Sequence, residues 1–230
     1  MAAVLSACED NTTSKEHVDP NPKAHRDYIR LKPGMVFKYR LDSIIYDDFT
    51  NTIDTSRYQV IHKVKEQTLD SAGFEAFLLK ATIQTIKEGT VRTSGLYTAR
   101  KTPEEYHVFR NNQRVLALDF PLSQGHTWDG NIYNTQDSVV YEVQSIHEPA
   151  TILSQRYDST LLIQEKEQET LIERNATETR YAKDIGLIYR ERLNLSFKGD
   201  SIPPKSIPWE EKANTGNIVR YRLQEVINHQ

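Results

Sequence analysis

Between Pro33 and Ile227 the chain repeats one pattern, an apolar residue at every second position over short runs. Phe37, Tyr39 and Leu41 alternate with Lys38, Arg40 and Asp42, and Tyr58, Val60, His62 and Val64 alternate with Gln59, Lys63 and Lys65. A period of two matches the pleat of a half-buried strand and cannot give a helix an apolar face. Residues 74–86 form a longer run, apolar on both faces around 76–79, as expected of a central strand. Residues 91–99 form another, with Gly95 inside it where a bulge is expected. Residues 105–109 and 115–118 flank Arg-Asn-Asn-Gln-Arg, a hairpin signal because asparagine tolerates positive φ. Further runs lie at 139–146, 159–164, 170–174, 187–195 and 218–227.

The count comes to about ten to twelve strands with no long amphipathic helix, although 19–30 can hold a short helical turn. Frequent tyrosine, 12 residues, together with recurrent threonine, isoleucine and valine, agrees with strand-rich structure. Strands without interleaved helices imply an all-β fold, either an antiparallel sandwich or a curled (half-)barrel. Pro33-Gly34 marks a turn at which the body begins, and nothing downstream divides it, so 31–230 reads as one all-β domain. Residues 199–216 are a long polar connection before the last strand. The net charge of −3 offers no basic footprint for nucleic acid. No apolar stretch reaches the length of a membrane-spanning helix.

The N-terminus carries a different kind of information. Cys8 is the only cysteine, so it has no internal disulfide partner. Leu5-Ser6-Ala7-Cys8 resembles a bacterial lipobox, and Ala2 to Leu5 is similar to the end of a signal h-region. The resemblance implies cleavage before Cys8 and a lipid anchor on its sulfur. Residues 1–8 are then a signal-peptide remnant with lipobox. Residues 9–30, polar and holding Pro20 and Pro22, are a flexible tether. The implied location is the bacterial cell envelope, anchored in the outer membrane and facing the periplasm or the surface. Five Asp-Ser triplets, at Ser43, Ser71, Ser138, Ser159 and Ser201, resemble the O-glycosylation signal of exported proteins in some Gram-negative phyla. Asp-Ser is also ordinary turn chemistry. The Asn-x-Ser/Thr triplets at Asn11, Asn175 and Asn194 carry no meaning in a bacterial protein.

Candidate chemistry is sparse. The seven histidines show no metal-ligand spacing, and there is no nucleophile elbow, phosphate loop or dinucleotide fingerprint. No cofactor or metal is expected. In Gly125-His-Thr-Trp-Asp-Gly130, His126, Trp128 and Asp129 are candidates for a polar ligand site, against the plainer reading of a turn with Trp128 as its plug. Two late strands hold a sharper pattern. Leu187, Tyr189, Glu191, Leu193 and Leu195 share one face, and Val219, Tyr221, Leu223, Glu225 and Ile227 share another. Each row sets one carboxylate among apolar neighbours, which is costly unless the carboxylate is paired or protonated. Glu191 and Glu225, with Tyr189 and Tyr221, are therefore candidate ligand-binding residues.

The segment Thr-Arg-Tyr-Ala-Lys-Asp-Ile-Gly-Leu-Ile-Tyr-Arg-Glu, residues 179–191, resembles the end of uncharacterised all-β envelope domains, as does the loop around His126. That resemblance implies no catalytic residue. In the sequence itself, Asp184 and Gly186 can make a tight turn that sends Ile185, Leu187 and Tyr189 into the core. Two function classes follow. The first is a non-enzymatic envelope lipoprotein: a scaffold, an assembly factor, or a binder of a hydrophobic or glycan ligand. The second is a hydrolase using paired carboxylates in a β-cleft.

Overall fold

The computed structural model describes residues 25–228. Its strands are β1 (Val36–Asp47), β2 (Thr52–Leu69), β3 (Glu75–Thr85), β4 (Val91–Lys101), β5 (Glu105–Arg110) and β6 (Gln113–Asp119), followed by β7 (Thr127–Asp129), β8 (Val140–Ile152), β9 (Gln155–Glu169), β10 (Glu173–Ala182), β11 (Gly186–Ser196) and β12 (Thr215–Ile227). A 3-10 turn at Arg26–Tyr28 and the single-turn helix α1 (Trp209–Lys212) complete the elements.

All twelve strands form one antiparallel sheet in the order β6-β5-β4-β3-β2-β1-β12-β11-β10-β9-β8-β7. Chain neighbours other than β6 and β7 pair with one another, and β1 pairs with β12, the first strand with the last. The free edges, β6 and β7, are consecutive in sequence. The Leu116 N–H donates to the Gly130 carbonyl at 2.9 Å, and Trp128 Nε1–H donates to the Leu116 carbonyl at 3.0 Å. These bonds draw the edges together into a nearly closed barrel. The seam decides between sandwich and barrel. Gly130 is needed there, because a Cβ at this position would lie 2.5 Å from the Tyr141 ring.

Local chemistry sets the turns. Asn111 and Asn112 both have positive φ, 52° and 59°, the conformation of a two-residue hairpin turn. Asp184 (φ 61°) and Gly186 (φ 109°) reverse the chain into β11 as expected. Some expectations shift. Residues 170–174 are mostly the β9–β10 turn, and the expected loop and connection hold β7 and α1. Gly95 pairs with Ala81 in regular register, while the irregularity of that ladder lies between Ile83 and Gln84.

Two cores result. The main one fills the lower barrel with Val64, Phe77, Leu79, Leu118, Val143, Leu161 and Ile188. Tyr28 closes that end. It is fully buried, and its hydroxyl lies 3.0 Å from Ser159 Oγ and 3.1 Å from His147 Nδ1. Lys101 Nζ donates to the Ile29 carbonyl at 3.2 Å. Residues 25–30, assigned from sequence to the tether, are thus packed into the body, because Tyr28 and Ile29 supply the apolar surface that seals the barrel.

The second core lies outside the sheet, where the chain between β11 and β12 folds back. Leu193, Leu195 and Ile218 pack there against Tyr46, Trp209 and Ala213. Beside it the outer face is charged. Asp42, buried, takes ion pairs from Arg40, Arg57 and Arg222. An apolar interior with ion pairs outside is the opposite polarity to a barrel that crosses a bilayer.

Candidate functional site

Above the main core the barrel holds a cavity of about 550 Å³. The inner rows grade from buried to open along the barrel axis. On β11 Ile188 is buried while Arg190 and Arg192 are exposed; on β5 Tyr106 is buried, Val108 half-buried and Arg110 exposed; on β4 Ala99 is buried and Tyr97 half-buried. Each gradient rises toward the end carrying the β5–β6 turn, so the cavity is sealed at the Tyr28 end and open at the other. Exposed apolar side chains crowd the hairpins at this open end: Phe49, Ile53, Ile86, Val91, Leu171 and Ile172.

One wall is a continuous run of rings. Tyr221 and Tyr39 meet edge-on at 6.5 Å between centroids, Tyr39 lies 5.3 Å from His62, and His62 lies 5.5 Å from Tyr97. The Arg110 guanidinium caps the run 4.8 Å above the Tyr97 ring. Burial pushes the His62 pKa down to about 3, and the nearby Arg110 charge acts in the same direction. Burial likewise raises Tyr97 to about 12 and holds Tyr39, Tyr106, Tyr141 and Tyr181 above the usual phenol range. Below Arg110 this wall is therefore neutral and amphipathic at physiological pH, with hydroxyl groups set among ring faces.

The opposite wall carries charge. Glu165 on β9 is 6% exposed, accepts a hydrogen bond from the Thr179 hydroxyl, and pairs with Arg190 at 2.5 Å. Arg190 stands on the inner face of the sheet, yet 47% of its side chain is accessible. That accessible surface faces the cavity. The Glu165 carboxylate keeps the Arg190 pKa raised.

The sequence candidates separate on this frame. Tyr221 lines the cavity. Glu191 does not; it stands opposite Arg220 on the outer face, ion-paired with it. Tyr189 shares that outer face, opposite Arg222. Leu193 and Leu195 are buried there by the returning chain, so an apolar row arises on the outside and Arg190 and Arg192 take the inside. Glu225 is turned outward by the bulge that pairs Lys38 with Glu225 and Tyr39 with Leu223; it forms an exposed ion pair with Lys38 at 2.8 Å. His126, Trp128 and Asp129 build the seam. His126 Nε2 lies 3.0 Å from Asp119 Oδ2, and Asp129 Oδ1 accepts the backbone N–H groups of Asn131 and Val139.

Ser71, Ser138 and Ser201 are exposed in connections between strands, whereas Ser43 and Ser159 are half-buried in strands. Cys8 lies outside the described residues. Among the described residues no three His, Cys, Asp or Glu side chains converge as a metal site would require.

The residues missed from sequence are Glu165, Arg190, Arg192, Arg110, His62, Tyr39 and Tyr97. Glu165 had a usable signal, since Leu161, Ile163 and Glu165 form an apolar row ending in a carboxylate. A shallower depression of about 620 Å³ lies outside the barrel, among Phe109, Asn112, Arg114, Tyr133 and Asn134. The Asn134 amide there is already used: its Nδ2 donates to the Arg114 carbonyl and its Oδ1 accepts from the Gln136 N–H.

No protein-family model matches the chain, and no curated protein is detectably similar to it. Solved structures are. A Bacteroides fragilis protein described as exported, with a YmcC-like fold, aligns at a TM-score of 0.50 and 10% identity, over 86% of this chain and 97% of its own. The fold is shared with that protein. A protein from Parabacteroides distasonis described as a lipoprotein aligns at 0.45 with 12% identity, over 87% and 98%. A LolA superfamily protein from Nitrosomonas europaea aligns at 0.23 with 16% identity, over 91% and 92%. The last two scores are too low to argue from.

Proposed function

We propose that this chain is a non-enzymatic envelope lipoprotein whose barrel binds a small hydrophobic molecule. The cavity carries the reading. Its volume lies within the ~300–1,000 Å³ usual for ligand sites, and it is lined by apolar and aromatic side chains with a few converging polar groups. Half-buried Val108, Val115, Val219 and Tyr221 present apolar surface to it that nothing in the barrel covers. The exposed apolar side chains on the hairpins around the mouth offer a hydrophobic ligand contacts on its way in. Envelope location draws support from the lipobox at Cys8 and from the fold shared with a protein described as exported. The anchor would be lipid on Cys8 in the outer membrane. The paired-carboxylate hydrolase draws no support from the geometry, because Glu191 and Glu225 stand outside the cavity, each beside its own cation.

The test is binding of the neutral fluorophore N-phenyl-1-naphthylamine. The wild-type chain should enhance and blue-shift its emission. Ala117→Trp fills the cavity from β6 and should weaken binding at least tenfold while leaving a cooperative melt. Equal binding by both proteins, or none by the wild type, defeats the cavity reading.

A further inference from the structure

Four arginines (Arg30, Arg110, Arg190, Arg192) and one glutamate (Glu165) line the cavity, in a chain whose net charge is −3. Two of the four meet a carbonyl or carboxylate oxygen of the protein, and a third, Arg110, meets Tyr97. Arg30 donates to the Asp184 carbonyl at 3.0 Å, and Arg190 pairs with Glu165. Among the described residues Arg110 and Arg192 have no carboxylate within ion-pairing distance. They stand on β5 and β11, strands six places apart in a sheet of twelve, hence on opposite walls near the mouth. Below them the wall is aromatic and aliphatic. His62 is held neutral by its burial and adds no charge.

We infer that the cavity takes an anionic amphiphile, an acyl or similar apolar chain directed down the barrel with its anionic head between Arg110 and Arg192 at the mouth. This deepens the binding function proposed above and rests on it. Guanidinium groups suit the head because their planar donors match carboxylate and phosphate oxygens. The excess of positive charge in a low-dielectric wall disfavours a cationic ligand and leaves a neutral one without its strongest contact.

The test uses chain-matched competitors against N-phenyl-1-naphthylamine on the intact chain: decanoate, decyl phosphate, decanol and decyltrimethylammonium, with acetate and inorganic phosphate as heads without chains. The anionic pair should displace the fluorophore at concentrations about tenfold below decanol, since a charge-assisted contact is worth that factor. Decyltrimethylammonium should be weakest, and the chainless anions should not compete. Success of decanoate alone assigns a carboxylate head, and of decyl phosphate alone a phosphate head. Arg192→Gln should reduce the anionic preference without changing decanol, and Arg192→Lys should restore part of it. Arg110→Gln should act in the same direction. Equal displacement by the four chains overturns the inference while leaving the binding function standing. Preference for the cation, or competition by chainless anions, overturns it as well. If the fluorophore itself does not bind, the fault lies with the binding function instead.

Discussion

The Tyr97 hydroxyl lies 3.0 Å from His62 Nδ1, joining two non-adjacent strands across the inner face of β3. Tyr97 stays protonated, so it donates and the neutral imidazole accepts. His62 is depressed from 6.5 to about 3 by burial. The unfolded chain therefore binds the extra proton first. Stability from this residue is fully present above about pH 6.5 and is lost as pH falls toward 3. The slope has an upper limit of about 1.4 kcal/mol per pH unit; the half-buried position of the ring makes it shallower. Urea melts at pH 7, 6, 5 and 4 should show wild type losing more stability than His62→Gln. Parallel pH profiles would mean that the ring is already solvated.

Glu191 and Glu225 should respond in different ways. Glu191 is 16% exposed beside Arg220, at 15%, so Glu191→Gln leaves a largely buried guanidinium with the Glu210 carboxylate alone, at 2.7 Å. The expected loss is about 1–3 kcal/mol. Glu225 is 54% exposed, and Glu225→Gln should stay within about 0.5 kcal/mol of wild type. Glu178 faces Glu191 directly across the β10–β11 ladder, and burial followed by the Glu191 charge raises its pKa. Its folded form holds a proton longer than the unfolded chain does, so it weakens the fold as pH climbs above the ordinary carboxylate range. Glu178→Gln should therefore stabilise at pH 7 and have no effect at pH 4. Chemical denaturation of the three variants settles all three signs.

Strand composition and turn residues made the all-β class legible, down to the Asn111-Asn112 hairpin and the Asp184-Gly186 reversal. The barrel closure was not, because the seam rests on Trp128 meeting the Leu116 carbonyl, a contact between residues on opposite edges of the sheet. The face of β11 was misjudged for a physical reason. Alternation shows which residues share a face but not which face looks inward. Here both faces are covered, one by the barrel and one by the chain around Trp209. A one-residue bulge then reversed Glu225 relative to Leu223, as any register shift must. Glu165 could have been found from its apolar row, but its pairing with Arg190 could not, because a contact between β9 and β11 has no sequence period of its own.

Export chemistry offers two checks. Cys8→Ala should abolish palmitate labelling in a Gram-negative host and move the chain from the membrane to the soluble fraction. Equal labelling of both forms removes the anchor. In a host that glycosylates Asp-Ser motifs, sugar on the folded chain should map to Ser71, Ser138 and Ser201, which are exposed in connections. Ser159, bonded to Tyr28, and Ser43, within β1, should remain bare. Peptide mass mapping after protease digestion reads this directly, and sugar confined to Ser43 or Ser159 would contradict it.

Tyr28 gives the strictest test of how the barrel is sealed. Its ring is fully buried, and its hydroxyl reaches both Ser159 on β9 and His147 on β8. Tyr28→Phe removes the hydroxyl and should cost about 1 kcal/mol, raised somewhat because the Ser159 hydroxyl loses a partner. Tyr28→Ala opens a cavity at the sealed end and should cost about 3–5 kcal/mol. A chain beginning at His25 should melt as the full-length protein does. One beginning at Leu31 should lose at least as much as Tyr28→Ala, because Ile29 leaves the core with the ring. The same truncation opens the floor of the cavity, so N-phenyl-1-naphthylamine should bind more weakly even where the shortened chain still folds. If the chain beginning at Leu31 matched wild type in both melting and binding, the segment would be an accessory to the barrel and the sealed end would have to be formed by the strands alone.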